Sequence, residues 1–122
     1  MSPEELQKRT KLFAIKIIRL VQVLEKKGVV GVVIGKQMLR SGTSTAANYR
    51  AVCRAKSNKD FVNKLGIVAE EADETQFWLE LLVEADVIEL ALVNDLLKEA
   101  SEITAIMTAS RSSAVRNQKL KK

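Results

Sequence analysis

Through most of this chain, apolar or small side chains return at alternating spacings of four and three residues. Leu6, Thr10, Phe13, Ile17, Leu20 and Leu24 set the rhythm, and Ile34, Met38, Ser41, Thr45, Asn48 and Val52 repeat it. Phe61, Leu65, Val68, Ala72, Thr75, Leu79 and Leu82 carry it a third time. Leu92, Leu96, Ala100, Ile103 and Met107 carry it a fourth, with Val93, Leu97 and Ile106 widening the stripe. A period near 3.6 places each set on one face of a helix. One proline and five glycines in 122 residues leave little material for turns, so the helices must be long and their links short. The pattern predicts an all-α fold, an antiparallel up-down four-helix bundle in one domain over residues 1–110. Residues 111–122 are polar and basic and are expected to fray.

The ends of the segments carry their own signals. Ser2 is an N-cap candidate followed by Pro3, Glu4 and Glu5, which suit a first helical turn. Gly28 is placed to end that helix. The β-branched run from Val29 to Ile34 favours a strand by propensity, but a lone strand has no partner here. It is read as a tight connection with its valines on the core, and the second helix as starting near Ile34. Ser57 followed by Asp60 resembles a capping box. The second segment has small and hydroxyl residues at its centre, Ser41, Gly42, Thr43, Ser44 and Thr45, which suit a close helix crossing.

Charge is divided by position. Residues 1–56 hold twelve basic and three acidic side chains, residues 57–109 hold twelve acidic and three basic, and residues 110–122 hold five basic and none acidic. The net charge of +5 hides this division. A basic half followed by an acidic half suits pairing within or between subunits, and the remaining basic excess suits an anionic polymer.

The residue types exclude much catalytic chemistry. With no histidine there is no Ser-His-Asp or Cys-His nucleophile system and no His-containing metal site. Cys53 is alone, so no intrachain disulfide forms, and it reads as a small buried hydrophobe. The acidic cluster Glu70, Glu71, Asp73 and Glu74 has the spacing of a carboxylate site on one helix. The plainer reading pairs it with Arg40, Arg50 and Arg54. No cofactor and no metal are expected. The N-terminal residues lack an apolar centre, and no stretch approaches the roughly 20 apolar residues that span a bilayer. A soluble, cytoplasmic protein with no membrane partner is the expectation.

Residues 40–82 also resemble a known family. QMLRSGTS with Asn48, followed by the pattern SxxDFxxKLxIAxxEAxETxxWLxLL, is similar to the four-helix-bundle proteins named for reading frames inside intervening sequences of bacterial 23S ribosomal RNA genes. Val68 stands where that pattern has alanine, and Tyr49, Arg50 and Ala51 fill the stretch after the asparagine where the pattern often has an acidic residue. The resemblance implies a bundle assembled as a ring, commonly a homopentamer, with no enzymatic activity. It also implies kinship with the accessory variability determinant proteins of diversity-generating retroelements, which bind nucleic acid and a reverse transcriptase. By the resemblance, Arg40, Ser41, Ser44, Asn48, Asp60, Phe61, Glu71, Glu74, Trp78 and Leu79 are motif positions, chiefly structural.

Together these readings predict a non-enzymatic homo-oligomer that binds RNA or DNA without reading sequence. The candidate contacts are Lys36, Arg50, Arg54 and Lys56, the N-terminal Lys8, Arg9 and Lys11, and the C-terminal Arg111, Arg116, Lys119, Lys121 and Lys122. Phe77 and Trp78 add to an apolar surface larger than one core needs, and are expected at a subunit or partner interface. The alternative is a protein–protein scaffold, for example a reverse-transcriptase accessory, whose charges are spent in subunit pairing. A carboxylate metal site is the third reading.

Overall fold

The computed structural model describes residues 1–120 and contains four helices: α1 (Pro3–Leu24), α2 (Gly28–Val52), α3 (Asn58–Glu84) and α4 (Leu90–Leu120). Links at 25–27, 53–57 and 85–89 are too short for anything but antiparallel neighbours. Consecutive helices pack tightly along their length, α1 and α4 close the bundle with the sparsest contact, and the pairs α1–α3 and α2–α4 lie across the diagonals. The fold is therefore the four-helix bundle that the spacing predicts.

Helix starts follow their capping chemistry. The Ser2 hydroxyl accepts from the Glu5 backbone N–H at 3.1 Å, and the Ser57 hydroxyl accepts from the Asp60 N–H at 3.1 Å. Asp60 in turn accepts from the Lys56 backbone N–H at 3.0 Å and from the Lys64 ammonium at 2.7 Å. The three bonds from backbone N–H groups satisfy donors left over at a helix end or link. These bonds hold the Asp60 carboxyl below the usual carboxylate range, with Lys64 contributing most.

The core is the sum of the four stripes. Phe13, Ile17, Leu24, Met38, Leu65, Leu79, Leu82, Ile103 and Met107 are fully buried. The small centre of α2 does what the crossing requires. A Cβ on Gly42 would stand 2.8 Å from the Ile17 side chain, so α1 lies directly against this turn. Ser41 and Thr75 are fully buried, and their hydroxyls share a 2.7 Å hydrogen bond across α2 and α3. Each hydroxyl also donates to, or lies within reach of, a carbonyl of its own helix: Thr75 to Glu71 at 2.8 Å and Ser41 to Met38 at 3.3 Å. No buried side-chain nitrogen or oxygen among the described residues lacks a partner.

Four details correct the sequence reading. Residues 29–34 are not a connection: α2 starts at Gly28, and Val29, Val30 and Val33 are exposed. Gly28, at φ +82, makes the turn out of α1, and Gly31 and Gly35 rather than the valines face Leu24. Periodicity and tertiary packing override the β-propensity of the valines. In α4 it is Val93 that is fully buried, while Leu92 is 55% exposed. The stretch expected to fray is helical through Leu120, and the burial of Ala114 ties it to the bundle. Cys53 is exposed in the turn after α2.

Candidate nucleic-acid interface

On the outer side of the α1–α2 pair, a groove of about 480 Å³ is lined by Gln7, Lys11, Ala46, Ala47, Arg50 and Arg54. Gln7 and Lys11 are one turn apart on α1, while Arg50 is in the last turn of α2 and Arg54 is in the link that follows it. Ala46 and Ala47 keep the wall low between them. Lys11, Arg50 and Arg54 form no ion pair with any described residue. Three cations thus converge on one depression with no carboxylate to neutralise them. A groove of this kind attracts phosphate, and arginine adds bidentate geometry.

The other expected contacts lie elsewhere. Lys8 is exposed on α1, and Lys36 is exposed farther up α2. Their positions extend the basic side, as Lys56 does in the link after α2. Arg9 is not available in the same way. Its guanidinium bonds Glu99 at 2.5 and 2.8 Å and also Glu102, tying α1 to α4. The bonds to Glu99, then Glu102, raise its pKa well above the ordinary arginine value against the opposing effect of burial. Arg111 is on the α3–α4 side, in a depression with Asn63, Gly66 and Glu70. Arg116 donates to the Ser113 hydroxyl at 3.3 Å, and Lys119 is in the last turn of α4. Lys121 and Lys122 lie outside the described residues.

The acidic cluster is split between two environments. Arg40 bridges Glu71 at 2.8 Å and Glu74 at 2.6 Å, pinning α2 to α3. Trp78 Nε1–H donates to the same Glu74 carboxylate at 3.1 Å. Burial alone would raise the Glu74 pKa, but the Trp78 and Arg40 bonds outweigh it and hold the carboxyl below its usual range. Glu70 and Asp73 face solvent. Arg50 and Arg54 take no part in this pairing, contrary to expectation. Ser44 and Asn48 are joined within α2, the Asn48 amide donating to the Ser44 carbonyl at 2.9 Å.

Tyr49 does not offer its ring to a ligand. It is buried, and burial together with neighbouring Cys53 pushes its pKa up to about 12. Gln7 and the alanine pair escaped the sequence reading, although the four-residue spacing of Gln7 and Lys11 on the predicted first helix was a usable signal.

Helix order, antiparallel links and the α2–α3 polar staple define a closed-stripe four-helix bundle with one basic side. The pattern of the 23S rRNA-intervening sequence protein matches residues 4–109, and the chain belongs to that family. A solved structure from Bacteroides thetaiotaomicron, a protein of unknown function from the S23 ribosomal protein family, is 35% identical to it. The match covers 92% of this chain and 99% of that one, with a TM-score of 0.83. No curated protein matches the chain. No helix among the described residues is long and apolar enough to cross a membrane.

Proposed function

We propose that this chain is a non-enzymatic, self-associating bundle protein that binds RNA or DNA through the α1–α2 groove without reading base sequence. The observation that carries the reading is the convergence of Lys11, Arg50 and Arg54 on one groove with no acidic partner. The surrounding half of the chain, with its twelve basic side chains, supports it. The affinity is electrostatic and each subunit supplies a few phosphate contacts. Assembly multiplies them: a homopentameric ring of chains of net charge +5 would carry about +25. Exposed Phe77 and the apolar side chains near it support self-association.

The test is binding of purified, nuclease-treated protein to single-stranded and duplex oligonucleotides across a salt series. The Arg50→Glu/Arg54→Glu variant is expected to lose affinity for every sequence and to flatten the salt dependence. An unchanged affinity and slope in that variant would remove the groove from the binding surface.

A further inference from the structure

Two of the exposed apolar surfaces lie outside the basic groove, on different sides of the bundle. The first is on the outward face of α3. Phe77 is 51% exposed there, its ring packed edge-on at 5.1 Å against Trp78, and Leu81 follows one turn later. Asp73 and Glu80, exposed carboxylates, flank Phe77 one turn to either side. The second is an open groove of about 310 Å³ between α1 and α4, where contact between helices is sparsest. Its apolar wall includes Val23, 43% exposed, and Leu92, 55% exposed. Its polar rim carries Lys16 and Arg19 from α1 and Asp95 from α4. Lys16 and Arg19 make no ion pair among the described residues.

We infer that these two surfaces are partners for each other in separate copies: the Phe77 face of one chain seats in the α1–α4 groove of the next. The inference rests on the self-association proposed above and specifies its faces. Apolar surface meets apolar surface, and Asp73 and Glu80 meet Lys16 and Arg19, with Asp95 the one carboxylate on the groove side. A twofold contact of the Phe77 face with itself would instead set Asp73 and Glu80 against their own copies, and like charges so placed repel.

The two surfaces also stand at nearly the same height along the bundle. α3 ends at Glu84 and α4 starts at Leu90, and this short antiparallel link bounds the register of the two helices. Counting from its two ends, Phe77 stands level with Leu97, next to Leu96 of the groove. Copies can therefore stand side by side with their axes in the same sense. A contact between unlike faces leaves one of each face free in any open dimer, so association continues until it closes on itself or runs on as a filament. The basic groove is part of neither surface.

The experiment uses the full chain and two variants at exposed positions, Phe77→Asp and Leu92→Asp, with circular dichroism to establish folding and light scattering to give mass. Wild type is expected to form a species of several chains, and each variant alone a monomer. An equimolar mixture of the two is expected to give a dimer and nothing larger, since only one pairing of intact faces exists. A Leu92→Asp protein that assembles as wild type does, or a mixture that stays monomeric, overturns the face pairing while leaving self-association standing. A monomeric wild type overturns both. Arg50→Glu/Arg54→Glu is expected to keep the wild-type mass, so loss of nucleic-acid binding and loss of assembly are read separately.

Discussion

Two glycines one turn apart on α2 should respond in opposite directions to the same substitution. Gly31 and Gly35 both face α1 near Leu24. A methyl group at Gly31 would overlap the Leu24 carbonyl oxygen and lie 3.0 Å from the Lys27 Cβ. The obstacle is backbone, so the first turn of α2 must move off the last turn of α1. At Gly35 the nearest atom is Val21 Cγ1 at 3.4 Å, with Leu24 Cβ at 3.7 Å, an ordinary contact. Alanine in place of glycine inside a helix gains about 1 kcal/mol from backbone entropy alone. Gly35→Ala should keep most of that gain and stabilise the protein by about 0.5–1 kcal/mol. Gly31→Ala should lose it to overpacking, which costs about 1–3 kcal/mol or more, for a net destabilisation of about 2 kcal/mol. The assay is urea denaturation followed by circular dichroism, comparing midpoints at constant slope. Equal midpoints for the two variants, or a Gly31→Ala protein as stable as wild type, would refute the argument that backbone contact decides the sign.

Three further outcomes follow from the polar contacts. The Glu74 carboxyl sits below its ordinary value of 4.5, so it binds a proton less readily folded than unfolded. Its contribution to stability is present above that value and is lost as pH falls through the lower folded pKa. Glu74→Gln should therefore reduce the acid-side loss of stability below about pH 4.5, measured by thermal melts across pH, while the neutral-pH melting temperature falls. Arg9→Ala removes the α1–α4 cross-tie at Glu99 and Glu102 and should cost about 1 kcal/mol at low salt, less at high salt, by denaturant titration. Thr75→Val should cost about 1 kcal/mol by leaving Ser41 without its partner across α2 and α3, and in a double-mutant cycle its cost should overlap with that of Ser41→Ala rather than add to it.

The bundle was legible because its core repeats the helical period with little interruption. Every position from Leu6 to Leu24 in the first stripe is buried, and so is every position from Leu65 to Leu82 in the third. The failures came where local chemistry and tertiary geometry disagree. Valines at 29, 30 and 33 argue for extended chain, yet the approach of Leu24 to Gly31 decides the helix, and no single sequence displays that distance. Leu92 and Val93 are adjacent and equally apolar, so pattern alone could not say which turns inward. The candidate site was legible in kind and less so in membership. Lys8, Lys11, Lys36 and Arg50 stand on α1 and α2, Arg54 and Lys56 in the link after α2, and whether Arg9 keeps its charge unpaired depends on α4. Arg9 differs from Lys11 only in lying on the side where Glu99 and Glu102 arrive.

The unequal closure of the four seams bears on how the chain reaches its native state. Three of the four helix pairings join neighbours in sequence, and the one that joins the two ends of the chain is the sparsest. Most of the native structure is therefore local, which lowers contact order and favours fast folding, in microseconds to milliseconds for helical domains of this kind. Successive hairpins can add one helix at a time to a growing stack, and α1 meets α4 only after the rest is built. The same seam is the cheapest to open once folding is complete. Amide exchange along α1 and along the facing turns of α4 should then report openings that leave the α2–α3 pair, stapled by Ser41, Thr75 and Arg40, protected.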